Sequence, residues 1–162
     1  MANPQDETVI APFTAFAFAV EIDIPGVSPK ACSAAFSECD GLEMTMDVKT
    51  IREGGNNGRQ IRLAGALSFG QLTLKRGMTA NDELWKWFEA MRTRPRLRAS
   101  AEVVVFAPGP QQKERARFIL SRCLPVKLKA PALNAKDGLV AIEELQIAYE
   151  SLSRKTVSEG GA

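Results

Sequence analysis

The chain reads as mainly β: an antiparallel β-barrel or sandwich with one flanking α-helix. Three observations carry that reading. Several stretches alternate large apolar residues with polar or small ones at the two-residue period of a strand. One stretch alone shows a clear helical stripe, and glycine and proline punctuate the boundaries. With 162 residues, 45% apolar and 25% charged, the chain suits one soluble domain with its own core. A net charge of +2 argues against a nucleic-acid footprint.

Residues 1–12 read as a loose arm, 13–152 as a single β domain, and 153–162 as a polar, glycine-containing tail expected to be flexible. From Phe16 the even positions Phe16, Phe18, Val20, Ile22 and Ile24 are large and apolar. The odd positions are Ala15, Ala17, Ala19, Glu21 and Asp23. That is a strand with one buried face and one face of small residues, which another sheet can approach closely. Pro25-Gly26 ends it. Residues 34–40 read as a short strand and Gly41 as a turn. Leu42, Met44, Met46 and Val48 then alternate with Glu43, Thr45, Asp47 and Lys49, a strand expected to bury one side and turn its charged side to water or a wet channel.

Arg52, Glu53, Gly54, Gly55, Asn56, Asn57, Gly58 and Arg59 follow with no apolar anchor. Three glycines and two asparagines predict a mobile loop with positive-φ turns. A phosphate cradle is the weaker reading. No strand-then-helix context surrounds the loop, and no Gly-Lys-Ser/Thr follows it. A protruding hairpin or contact loop is the better one.

Residues 69–74 alternate as a strand that Lys75-Arg76-Gly77 is expected to break, with Gly77 free to take a positive φ. A helix comes next. Thr79, Asn81 or Asp82 can accept its first N–H groups, and Asp82 and Glu83 favour the positive end of its dipole. Leu84, Trp87, Phe88 and Met91 form its apolar stripe, Trp85 is expected to widen it, and Pro95 stops it. Nothing but a sheet is on offer to cover that stripe. Arg92, Arg94, Arg96 and Arg98 form a basic run, read as a solvated helix end, with a surface facing anionic cargo as the alternative.

Two strands, 98–106 and 115–120, flank Ala107-Pro108-Gly109-Pro110. Leu124-Pro125 is expected to interrupt before Val126-Lys127-Leu128-Lys129 alternates again. Over 139–152, Leu139, Ile142, Leu145, Tyr149 and Leu152 fit a helical stripe. Leu145, Ile147 and Tyr149 equally fit a strand whose phase slips by a β-bulge at Glu143-Glu144. Periodicity leaves both open.

Little here suggests chemistry. The chain has no histidine, which removes Ser-His and Cys-His nucleophiles and most transition-metal sites. Cys32, Cys39 and Cys123 are odd in number and scattered, as buried thiols of a reducing compartment would be, and cannot alone hold a structural zinc. Ser68 lacks the first glycine of a nucleophile elbow. Glu143 and Glu144 point to opposite faces of a strand, a bulge or rim feature rather than an acid–base pair. Trp85 and Trp87 can stack a ligand, but on a helix stripe they read as core. No catalytic residue, cofactor or metal ligand is therefore expected, and a binding or building protein is favoured over an enzyme. Residues 9–20 are too short to span a bilayer, are broken by Pro12 and follow two acidic residues, so cytoplasmic synthesis without a signal peptide is expected. A sheet with open edges can build by adding strands from sister copies, and a closed ring makes such an assembly finite.

Particular residues go further. Phe36-Ser37-Glu38, Asp40-Gly41-Leu42-Glu43, Arg52-Glu53-Gly54-Gly55-Asn56, Leu72-Thr73-Leu74-Lys75-Arg76-Gly77-Met78-Thr79 and Leu84-Trp85-Lys86-Trp87-Phe88 occur in order. Arg117-Phe118, Pro125-Val126-Lys127, Pro131, Leu133-Asn134-Ala135, Val140-Ala141-Ile142-Glu143-Glu144-Leu145 and Ala148-Tyr149-Glu150 follow. Over 13–152 the series resembles the tail-tube protein family of contractile phage tails and extracellular contractile injection particles. The resemblance implies a fold like the haemolysin-coregulated tube protein of type VI secretion, and a strand over 139–152. It implies hexameric rings stacked into a rigid inner tube, whose lumen passes DNA or a protein payload when the sheath contracts. The implied partners are further copies of the chain, the sheath protein, baseplate and spike proteins, a tube terminator and the payload. The implied destination is a virion tail or an injection particle. Ala64 stands where Leu-Pro-Gly is usual. Such departures make a specialised tube-initiator ring at the baseplate the alternative, ahead of a monomeric small-ligand β-barrel. Residues 52–59 are the expected contact between rings or subunits.

Overall fold

The computed structural model describes residues 17–27, 36–55 and 58–156. It contains nine strands and one helix in those residues: β1 (Phe18–Asp23), β2 (Glu38–Asp40), β3 (Met44–Arg52), β4 (Gln60–Phe69), β5 (Gln71–Gly77), α1 (Glu83–Thr93), β6 (Ala99–Phe106), β7 (Glu114–Lys129), β8 (Ile142–Ala148) and β9 (Ser151–Thr156). All pairings are antiparallel. The 16-residue β7 organises the body. Its first half lies between β6 and β9, its second half pairs with β8, and the order continues through β5 to β2. β7 therefore belongs to two layers, β1-β6-β7-β9 and β7-β8-β5-β2.

The transition between layers has a local cause. Ala99 faces Cys123 and Ala101 faces Leu120, so β7 has one residue more than β6 there. A bulge of this kind bends a strand, and Arg122 within it has φ 53°. The Arg122 guanidinium is held by Glu150 at 2.6 Å, beside the step from β8 to β9. Pro125 does not interrupt the strand as expected. β7 runs through it, because this half is bonded only to β8 and its other edge is open among the described residues, where a missing N–H costs little.

Both layers feed one core. Val20, Ile22 and Ile24, the even positions of the first strand, are fully buried with Leu72, Leu74, Leu120, Leu145 and Ile147. Leu84 and Trp87 bring α1 onto the same cluster, with Phe88 and Met91 packed at its margin. The Asn81 side-chain oxygen, one residue before the N-cap Asp82, accepts the Glu83 N–H at 2.9 Å, and an Asp82–Lys86 pair at 3.0 Å supports the first turn. Trp85 does not widen the buried stripe; it is 41% exposed.

Other expectations are corrected. β5 continues through Gly77, whose φ is not positive, because Gly77 pairs with Ile142. Residues 142–148 form a strand with no bulge at Glu143-Glu144: Arg76 faces Glu143 and Lys75 faces Glu144 in unbroken register. The two carboxylates do point oppositely. Glu143 is buried against Arg76, while Glu144 lies outside within 3.4 Å of Lys127. The helical alternative fails because this segment is bonded on both sides, by β5 and β7. Beyond Arg154 the chain stays in β9 to Thr156. The arm over 1–12 and Cys32 lie outside the described residues.

Candidate assembly interface

The residues singled out from sequence at 52–59 lie at the tip of a hairpin made by β3 and β4. Asn56 and Asn57 lie outside the described residues. Gly54 and Gly55 form the turn, Gly55 with φ +99°, and a side chain at either would meet nothing within 4 Å. The hairpin is a two-stranded sheet of its own and shares no strand pairing with the body. Its nine- and ten-residue strands, at about 3.3 Å per residue, make a ribbon roughly 30 Å long.

The base of the ribbon is fixed. The Tyr149 hydroxyl donates to the Gly41 carbonyl at 2.8 Å and accepts the Glu43 N–H at 3.1 Å. Its ring lies 5.8 Å from that of Phe69, the last residue of β4, which faces Met44 at the base. Gly41, with φ +96°, has no room for a side chain: a Cβ would sit 1.9 Å from the Gln71 carbonyl oxygen. Sequence reading placed a turn at Gly41 but gave Tyr149 no part in holding it.

Above that root nothing covers the ribbon. Every residue of β3 is exposed, and Met44, Met46 and Val48 are each more than half exposed. This corrects the expectation that β3 buries its apolar side; no layer of the protomer reaches it. Leu63 and Leu67 on β4 are as open as Ile51 on β3. Residues 60–68 were missed from sequence, although Ile61, Leu63, Leu67 and Phe69 keep strand alternation around Gly65. An isolated ribbon of this kind is marginal in water, and contiguous exposed apolar residues mark an interaction surface.

The body offers matching features. Among the described residues, the outer edges of β1, β2 and β9 have no strand partner. Leu133, Leu139 and Val140 are exposed between β7 and β8. On the outer face of the first layer, Glu21, Asp23, Ser100, Glu102 and Arg117 surround a shallow groove of about 280 Å³. Arg117 bridges Glu102 and, at 2.8 Å, Glu114; these hydrogen bonds hold the Glu114 carboxyl below the usual carboxylate range.

No group of three or more His, Cys, Asp or Glu side chains is placed to hold a metal among the described residues. Burial, with Asp40 nearby, pushes the Cys39 thiol up to about 11; burial pushes Cys123 up to about 12. Both are poor nucleophiles at neutral pH. Trp87 is core and Trp85 stands outside it. Arg98 turns back on the Pro95 and Leu97 carbonyls, both at 2.9 Å. No helix in the described residues is long and apolar enough to cross a membrane.

The fold recurs in known assemblies. A chain in the cryo-EM structure of the anti-feeding prophage (AFP) baseplate, 6-fold symmetrised, superposes with TM-score 0.79 at 26% identity, over 91% of this chain and 98% of that one. A chain of an extracellular contractile injection system, the PVC sheath-tube complex in its extended state, superposes with TM-score 0.77 at 17% identity, over 97% of this chain and all of that one. A type six secretion system protein superposes more loosely, with TM-score 0.51 at 12% identity over 85% and 83%. The comparison with curated proteins finds no match. The sequence profile of the T4-like virus tail tube protein gp19 matches residues 14–153, and the chain belongs to that family.

Proposed function

We propose that copies of this chain form hexameric rings that stack into the rigid inner tube of a contractile injection machine, and that the lumen conducts DNA or protein when the sheath contracts. The work of the subunit is structural, and no catalytic step is assigned to it. The observation that carries the reading is the β3–β4 hairpin: a ribbon of exposed apolar residues, firmly rooted at Tyr149 and bare above its root. Such a surface needs cover, and further copies of the chain supply it. Residues 52–59 at its tip are the proposed contact between rings or subunits, ordering on assembly. Sheath, baseplate and terminator proteins are the proposed partners, and a tail or released particle the proposed location.

A ring at the baseplate end of the tube is the second reading. It is favoured by the higher identity to the chain from the AFP baseplate structure, 26% against 17% for the sheath–tube chain. Electron microscopy of purified protein separates the two: self-grown tubes support the main tube, isolated rings the baseplate ring, and monomers neither. Deleting 54–58 is expected to leave folded, soluble subunits that no longer stack. Full-length tubes from that deletion refute the role of the tip.

A further inference from the structure

We infer that the β3–β4 hairpin is a two-sided ribbon held between two further copies of the chain, one against its base half and the other against the opposite side of its tip half. The inference rests on the tube reading above and adds which side of the ribbon each copy covers.

The reason lies in the register. Residues directly opposite in an antiparallel pair share a face. Met44 faces Phe69 and Met46 faces Leu67; Val48 then faces Ala64, so Gly65 and Ala66 together oppose Asp47. β4 has one residue more than β3 at that point, and a slip of one residue turns every later side chain to the other face. In sequence Leu67, Leu63 and Ile61 all fall on one side of β4. In the ribbon, Leu67 stays with Met44, Met46 and Val48, while Leu63 and Ile61 cross to join Ile51 and Lys49. The base half is thus apolar on one face and carries Thr45, Asp47 and Ser68 on the other. The tip half is reversed, with Thr50, Arg52, Gln60 and Arg62 on the face that was apolar below. Gly65 makes the crossing possible: a Cβ there would lie 2.7 Å from the Asp47 carbonyl oxygen.

One flat surface cannot cover two apolar patches on opposite sides of a ribbon. Two contacts are required. Met44 and Arg52 are eight residues apart, so the tip lies roughly 26 Å beyond the root. That exceeds the radius of gyration of about 15 Å expected for a chain of this length. The base half adjoins the root at Tyr149, within reach of a lateral neighbour, and the tip half reaches a copy farther away.

Charge identifies that copy as the same chain. The hairpin carries Lys49, Arg52, Arg59 and Arg62 against Asp47 and Glu53, four positive and two negative, a balance of +2. On the body, Glu21 and Asp23 have no ion-pair partner among the described residues and border the groove beside Glu102. A basic ribbon and an acidic groove on one molecule make a head-to-tail contact between copies, the kind that propagates.

The test compares the assembly of full-length wild-type, Met46→Glu, Ile51→Glu and Thr45→Lys proteins by analytical ultracentrifugation and negative-stain microscopy. Far-UV circular dichroism checks that each body is folded. Wild type and Thr45→Lys are expected to form tubes, Met46→Glu to stop at monomers, and Ile51→Glu to stop at single rings. Arrest of Met46→Glu and Ile51→Glu at different stages supports the inference, whichever half controls which stage. Arrest at one common stage overturns it, as do normal tubes from either variant. Loss of assembly in Thr45→Lys overturns it too, because both sides of the base would then be covered. Wild-type protein that stays monomeric refutes the tube reading itself, and this inference with it. Wild-type rings left unchanged by Ile51→Glu leave a ring reading standing while refuting the contact at the tip.

Discussion

The body and the hairpin obey the same alternation and come to opposite ends. In β1 the even residues Val20 and Ile22, with Ile24 just beyond the strand, disappear completely into a core shared by two layers and a helix. In β3 the even residues Met44, Met46 and Val48 are just as regularly placed and stand in water. Binary pattern specifies which residues want cover; it does not say whether the cover comes from the same chain. β3 is amphipathic by sequence and naked in the protomer, which is the ground for the assembly contact proposed above.

The difference can be broken from the body outward. The largest effect is expected at the buried pair of Arg76 and Glu143, both under 4% exposed, with Arg76 also donating to the Asn81 carbonyl at 3.3 Å and lying 5.9 Å from the centre of the Phe36 ring. Replacing Glu143 with Ala removes the carboxylate and keeps the buried guanidinium, a loss of about 3–5 kcal/mol in a urea melt of the subunit. A wild-type midpoint would show that water reaches the site. Next comes Tyr149→Phe, which takes one hydroxyl from the Gly41 carbonyl and the Glu43 N–H. It is expected to cost about 1–3 kcal/mol. Hydrogen exchange should rise at 41–44 before it rises in β6 or β7, and uniform exchange would deny the root its role. The smallest effect on the protomer, within about 0.5 kcal/mol, is expected from Leu67→Ser on the bare ribbon. The same substitution should abolish tubes in electron micrographs. A melt that drops by several kilocalories, with tubes intact, would reverse the comparison.

How much was readable in advance follows the same division. The even-numbered stripe of β1 and the aromatic stripe of α1 could be read because a single core satisfies each; the turn at Gly41 could be read from its residue type alone, although Tyr149 and Gln71, remote in sequence, fix it. Three features could not. β7 crosses Pro125 because its edge is open there, which depends on what does not pair with it. Glu143 is buried because Arg76 of a distant strand faces it, a fact of register. The bulge at Gly65 and Ala66 leaves the alternation of β4 intact in sequence and reverses it in space. Residues 52–59 were singled out from their lack of an apolar anchor, and Gly54 and Gly55 form a turn there beyond β3. The exposed Met, Leu, Ile and Val residues lie in the strands on either side of it.

β7 carries one more consequence. A single run of 16 residues passes from one layer to the other, so a load on one layer need not cross to the other through side-chain friction. Force entering at β6 or β9 reaches β8 along covalent backbone. The ladders on either side of β7 then take it up with many bonds in parallel, and the subunit behaves as a beam, not as two plates that can slide.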